Sequence, residues 1–384
     1  MTLPPLGALL RGVLAALAVL ALGWFVGGQA MLGRIDPAML LPLWPLPLAA
    51  LAWTARRASR TERRAAFGVA IALTLIGQAL LAAWLAGAFP WLQLVLSAGC
   101  GSVVAVGADR MVQAARPRGL FRVLLIAAAI LGWFAAAHGL LALAYRAPAP
   151  RAVPVTMMTS LPLRWSGGDL AAMLAEGARD DPALDRIARG GPLRLVDSLA
   201  DHPLARGDAL LLAHPPALAP RDLVAIDAFV RGGGRAVILA DALSGWPPRH
   251  PLGDPRNPPV TSLLTPLLDH WGITLAAAPD TETRPIAADI GGAHLRLFSA
   301  GRFTQAPPAC VRIAGGHLLH CRIGQGEAWL VGDADMLFAP LWQPQPRWAA
   351  HLRHADTMEW LDARLRGGDA RGWLRPLWIG AAAD

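Results

Sequence analysis

Five membrane-spanning helices followed by an α/β domain with a mainly parallel sheet and an antiparallel hairpin extension: this is the fold the sequence predicts, on three observations. Hydrophobic residues make up 54% of the chain and charged residues 16%, too apolar for an ordinary soluble protein. The charge is also divided. Residues 1–150 hold 12 Arg against Asp36, Glu62 and Asp109, a net +9, while 151–384 hold the other 23 Arg against 24 acids, a net −1. Beyond a proline-rich stretch, strand and helix patterns then alternate, as they do along a parallel sheet. All 35 basic residues are Arg, a bias of a GC-rich genome rather than of chemistry. The basic excess belongs to the apolar half, so the near-neutral second half offers no basic face for nucleic acid, and none is expected as a partner.

A bilayer core of about 30 Å needs roughly 20 apolar residues per helix. Residues 12–33 meet this without a charge. A shorter, proline-bearing span is expected over 37–54. The uncharged run from Ala65 to Ala108 is long enough for two more, 65–86 and 91–108, broken near "GAFPW", and a fifth runs over 123–145. Cytoplasmic loops keep an excess of Arg. The second loop, "ARRASRTERR", has five, and the fourth has Arg110, Arg116, Arg118 and Arg122; the first has Arg34 balanced by Asp36, and the third has no charge. This alternation predicts a bacterial inner-membrane protein with its N-terminus cytoplasmic and everything after about Arg146 periplasmic. Trp24, Trp53, Trp91, Trp133 and Tyr145 fall near predicted span ends, as interfacial anchors would. A cleaved signal sequence is the weaker reading of the first span, because its apolar run is too long and no A-x-A site follows. His138 is titratable within the fifth span, but no second ionisable group accompanies it in any span. A neutral ring bonded to a neighbouring helix carbonyl is favoured over a proton relay.

The linker 147–154, "APAPRAVP", opens the second half, and 155–366 reads as one α/β domain followed by a tail, 367–384. "VPVTMMTS" is a strand, and "SGGDLAAMLAEGA" starts a helix with the S-x-x-D capping arrangement of Ser166 and Asp169. "LRLVDSL" is a second strand. "DALLLAH", 208–214, is a third, its unbroken apolar run suiting burial on both faces. "APRDLVAIDAFV" starts a helix at Pro220 with Leu223, Ile226, Phe229 and Val230 on one face. "AVILAD" is the fourth strand. The glycines of "DAFVRGGGRAVILAD" follow a helix and precede a strand, the reverse of a phosphate-binding loop. They therefore meet helix-end carbonyls, not free N–H groups. Ligands of open α/β sheets gather at the carboxyl edge of the strands, which makes Thr159, Ser160, His214 and Asp241 the candidate binding residues. A Ser160–His214–Asp241 triad is disfavoured because no G-x-S-x-G elbow is present.

The stretch 208–241, "DALLLAHPPALAPRDLVAIDAFVRGGGRAVILAD", resembles the class I glutamine-amidotransferase-like fold. In particular it resembles the extracytoplasmic domain of uncharacterised ABC-transport auxiliary proteins of the gliding-motility type, and related membrane-anchored domains of unknown function. A later strand entering a GD-x-D turn, "AWLVGDADMLF" at 328–338, strengthens the likeness, which covers about 150–366. Enzymes of that fold carry a nucleophilic Cys in the elbow after the corresponding strand. Here the elbow reads "LADALSG", with Asp241 and Ala242, and no His-x-Glu pair is recognisable near the C-terminus. The resemblance thus implies a non-catalytic relative with no cofactor, whose partners would be membrane lipid and other membrane subunits such as an ABC permease or ATPase. Five spans are more than such auxiliary proteins often have.

Three further stretches bear on function. "WPPRHPLGDPRNPP", 246–259, is expected to project Trp246, Arg249, His250, Asp254 and Arg256 near the sheet edge, either as a recognition loop or as an ordered structural one. "CVRIAGGHLLHC", 310–321, predicts a hairpin turning at Gly315-Gly316 with 312 facing 319 and Cys310 facing Cys321, a spacing for a disulfide. His317 then lies roughly 13 Å from that pair, so no zinc site assembles. Cys100 reads as a packed thiol. Asp333 and Asp335 in "GDAD" read as a capped turn rather than a metal site, and no metal is expected. The tail, with Trp373, Leu374, Leu377 and Trp378, is left between docking and disorder. The function that follows is a non-enzymatic membrane component of a transport or envelope assembly; an extracytoplasmic hydrolase or a transporter in its own right are the alternatives.

Overall fold

The computed structural model describes residues 6–114, 120–148, 151–164, 180–205, 207–248, 250–251, 253–254, 256–277, 285–368 and 372–380. Arg116, Arg118, Arg249 and the expected helix start at Ser166–Asp169 lie outside the described residues. The chain forms two compact units: Met1–Arg146 with Pro344–Arg353 and Gly372–Asp384, and Ala147–Gln343 with His354–Arg371.

The first unit is helical: α1 (Leu6–Phe25), α2 (Gln29–Leu32), α3 (Pro45–Thr54), α4 (Arg60–Ala86), α5 (Trp91–Gln113) and α6 (Leu120–Ala144). Among the described residues four helices are long and apolar enough to cross a membrane, Leu6–Leu32, Arg60–Ala86, Trp91–Gln113 and Leu124–Ala144. The expected second span, 37–54, is not one helix. Asp36 accepts from the Ala38 amide to cap a 3₁₀ turn, Pro37–Leu40, and Pro45 and Pro47 start α3 afresh after four more residues. Proline supplies no N–H and obstructs the preceding turn, so a continuous helix cannot pass these positions. At 1.5 Å per residue, ten-residue α3 covers only about half the bilayer core.

Helix α1 runs alongside α4 in the same direction, for Gly12 meets Ala66 and Val69 while Gly77 meets Leu20. A Cβ at Gly12 would lie 2.7 Å from the Ala66 carbonyl oxygen, so only glycine permits this approach. One end of the bundle is marked by Arg63–Asp109 at 2.7 Å and by Gln113 donating to the Arg56 carbonyl. At the other end Gln93 donates to the Tyr145 hydroxyl, and Ile35 and Gly380 donate to the carbonyls of Leu377 and Leu85. Arg34 and Asp36, expected in a loop, pair there at 2.8 Å with both side chains fully buried, and the Tyr145 hydroxyl also bonds Asp36. His138 meets His351 at 2.8 Å rather than a helix carbonyl. Residues 372–380 of the tail pack in this unit, with Leu374 and Trp378 buried and Trp373 exposed. Cys100 is a half-buried free thiol.

The second unit centres on a seven-stranded sheet. Its strands are β1 (Val155–Thr159), β2 (Leu193–Leu195), β3 (Ala209–Ala213), β4 (Arg235–Leu239), β9 (Cys310–Ile313), β10 (Leu318–Ile323) and β11 (Gly326–Val331), in the order β2-β1-β3-β4-β11-β10-β9. The first five are parallel, and β10 and β9 extend them antiparallel. Small antiparallel pairs are added by β5 (Thr274–Ala276) with β8 (Arg302–Gln305) and by β6 (Ile286–Ile290) with β7 (Ala293–Leu297). Successive strand residues point to opposite faces. Ala209, Leu211, Val237 and Leu239 pack with Leu184 and Ile187 of α7 (Pro182–Arg189) and Leu361 and Leu365 of a late helix, Thr357–Arg366. Leu210, Leu212, Ala236 and Ile238 pack instead with Ile226 and Val230 of α8 (Pro220–Arg231). Two covered faces explain why these strands are apolar throughout.

The glycine corner is as expected. Gly232 ends α8, Gly233 takes φ 101°, and the Gly234 amide donates to the Phe229 carbonyl before β4 begins. The hairpin register also agrees, with Arg312 opposite Leu319 and Cys310 opposite Cys321, and the two sulfurs are bonded.

Candidate functional site

Strand order brings the carboxyl ends of β1, β3, β4 and β11 side by side. Between β1 and β3 the chain's connections diverge, to β2 on one side and β4 on the other, which is the switch point where ligands of such sheets collect. Thr159, Ser160 and His214 stand there. Thr159 Oγ1 accepts from the Leu161 amide at 3.0 Å, closing the turn after β1. The Ser160 amide and hydroxyl both donate to the His214 carbonyl. His214 is fully buried at φ 47°, its Nε2 is 2.6 Å from the Pro259 carbonyl oxygen, and burial holds it below the usual histidine pKa. A neutral ring donating from Nε2 presents a lone pair at Nδ1, which has no hydrogen-bond partner among the described residues. Ser160, His214 and Asp241 are therefore not a catalytic triad: the serine serves a main-chain carbonyl, and the ring faces a loop.

Asp241, one strand further on, joins two residues that sequence reasoning set aside. Asp241, Asp333 and Asp335 are all buried and offer carboxylate oxygens within 4.8 Å of one another. Each is held by donors. Asp241 accepts from the Leu243 and Ala334 amides at 3.1 and 3.2 Å, Asp333 from the Phe298 amide at 2.7 Å, and Asp335 from the Ser244 hydroxyl and the Gly245 amide. Within the trio, Asp333 Oδ1 alone is buried with no hydrogen-bond donor among the described residues. Burial, then the Asp335 charge, pushes Asp241 up to about 8, while burial pushes Asp335 up to about 6. Burial and both neighbours hold Asp333 well above the carboxylate range. Such a trio holds protons or a hard cation with oxygen preference.

The Pro-rich loop differs from expectation. Trp246 does not project: it is 8% exposed, meets Phe338 edge to face at 5.5 Å and belongs to the core. Burying so large an apolar surface outweighs keeping it on a polar loop. Asp254 is held by Arg256 at 2.6 Å, and the His250 amide and carbonyl both bond the Asn257 side chain, so this loop closes on itself. Arg256 keeps Asp254 well below the usual carboxylate pKa.

The chain thus combines helices of membrane-crossing length with an α/β unit of mainly parallel sheet. Residues 193–278, which include His214 and Asp241, match the model of a family described as an ABC-type uncharacterized transport system. No curated protein matches. Solved structures similar to the chain include an exo-β-1,4-mannosidase from an Opitutaceae bacterium (12% identity, 63% of this chain and 38% of that one, TM-score 0.33). Others are a β-galactosidase from Rahnella sp. (15%, 65% and 34%, 0.28) and a protein described as ThuA-like from Parabacteroides merdae (10%, 59% and 98%, 0.27). The chain spans little more than a third of the length of the first two.

Proposed function

We propose that the protein is a non-enzymatic inner-membrane component of a transport or cell-envelope assembly, auxiliary to an ABC transporter. Its amidotransferase-like domain, 155–366, faces the periplasm and binds a partner or ligand at the carboxyl edge of its sheet. The observation that carries this reading is the family match over β2, β3, α8 and β4, in a chain that also has four helices of spanning length. The edge chemistry supports binding over hydrolysis, because Ser160 is committed to the His214 carbonyl and the elbow after β4 carries Asp241 and Ala242 rather than the nucleophilic Cys of the resembled enzymes. Half-buried Thr159 and Ser160 form the proposed edge, with His214 and Asp241 buried behind them and His250 and Asp254 on the loop beside it.

The test is purification of the tagged full chain from membranes, alongside the single substitutions Asp241→Ala, Ser160→Ala and His214→Ala. An ABC permease or ATPase should co-purify with the wild type, and at least one substitution should weaken that association. Hydrolase activity that disappears in the variants while association persists would overturn the proposal.

A further inference from the structure

Within the helical unit α3, α5 and α6 line a half-open cavity of about 390 Å³. Its walls are predominantly apolar and include Trp53 of α3, Val103, Gly107 and Met111 of α5, and Ile130 and Trp133 of α6. The space exists because small side chains meet here: Ala49, Ala108 and Ala129 line it, and a Cβ added at Gly107 would touch nothing within 4 Å. Its size is within the range of ligand-binding cavities. In water so apolar a hollow would be unfavourable, but between membrane-length helices the available filler is hydrocarbon.

The cavity also has a charged end. The Arg56 guanidinium lies 4.6 Å from the centroid of the Trp53 ring, and exposed Arg110 precedes the lining residue Met111. The neighbouring acids are engaged elsewhere, Asp109 with Arg63 and Glu62 with the Ser59 amide. An apolar slot ending in arginines complements a molecule with an apolar tail and an anionic head.

We propose that this cavity is a binding site for one acyl chain of an anionic glycerophospholipid, whose phosphate is met by Arg56 and Arg110. The chain takes the place of packing that short α3 leaves undone, and the arginines select the headgroup. This site is independent of the carboxyl-edge surface proposed above.

The full chain would be reconstituted in phosphatidylcholine vesicles containing a small, equal mole fraction of brominated phosphatidylglycerol or brominated phosphatidylcholine. The quenching due to Trp53 is read as the difference between wild type and Trp53→Phe. We expect it to be about fivefold stronger with the anionic lipid, as one arginine near a membrane surface supplies. Gly107→Leu should abolish that component, and Arg56→Gln with Arg110→Gln should make the two lipids equal. Size-exclusion and circular-dichroism profiles matching the wild type would establish that the variants fold. Equal quenching of the wild type by both lipids, or quenching untouched by a folded Gly107→Leu, would overturn the proposal.

Discussion

Three carboxyl groups as close as Asp241, Asp333 and Asp335 cannot all ionise in a dry site without a counter-charge. Their folded pKa values are raised, so the stability they allow is complete below the ordinary carboxylate pKa and is lost as pH rises through the folded values. For Asp335 and Asp241 those are about 6 and about 8. In chelator, the melting midpoint of the full chain in detergent should therefore fall by several degrees between about pH 5 and pH 8, and Asp333→Asn should flatten the slope. Magnesium or calcium that restores the midpoint at the upper pH would identify a cation as the balancing charge; a flat wild-type profile would contradict the raised values. Asp241 was readable as a strand end and Asp333 and Asp335 as a GD-x-D turn. Their meeting was not, because β11 enters the sheet beside β4 from far along the chain, and neighbour order in a sheet is not written in chain order. Trp246 was misplaced for a related reason, since a proline-rich setting says where a loop runs but not which side chain it buries.

Elements set by local chemistry were the most legible. The apolar stripe of α8, its glycine end and the unbroken apolar run of β3 all form where periodicity puts them. The hairpin register follows from a turn at Gly315 and Gly316, and it carries the Cys310–Cys321 bond across the outermost pair of strands. A link closing so short a loop is worth about 2–3 kcal/mol. Replacing both cysteines by Ser should lower the denaturation free energy by that amount, and hydrogen exchange should speed up first in β9 and β10. The tightest of the described glycines, however, lies outside the triple run. A Cβ at Gly326 would stand 2.1 Å from the Val230 carbonyl oxygen and 2.3 Å from that of Gly234, both main chain. Gly326→Ala should therefore cost about 3 kcal/mol or more by forcing α8 away from β11, whereas Gly232→Ala, at φ −77° and 3.1 Å from its nearest neighbour, should cost about 1 kcal/mol or less. Urea denaturation of the two variants in parallel tests the contrast.

For the bundle as a whole, the direction of its helices constrains how often the chain crosses. Helices α1 and α4 run the same way, so the chain must return between them, and the segment from Arg34 to Thr54 is what returns it. Hydropathy marked this segment as a span but not its composition, because prolines and a capping aspartate divide it into a turn and a short helix. Irregular backbone at membrane depth is tolerated where protein covers it. Residues Ile35 to Pro45 are all buried, and the Trp44 indole donates to Ser97 of α5. If all four long helices and this segment cross, the N-terminus and residue 147 lie on opposite sides of the membrane. On the proposed orientation the arginine-rich 55–64 and the N-terminus are both cytoplasmic. Alkaline phosphatase fused after Ala147 should then be active, and the same reporter fused after Arg57 inactive. The reverse pattern, activity after Arg57 and none after Ala147, would overturn this orientation and place the α/β domain in the cytoplasm.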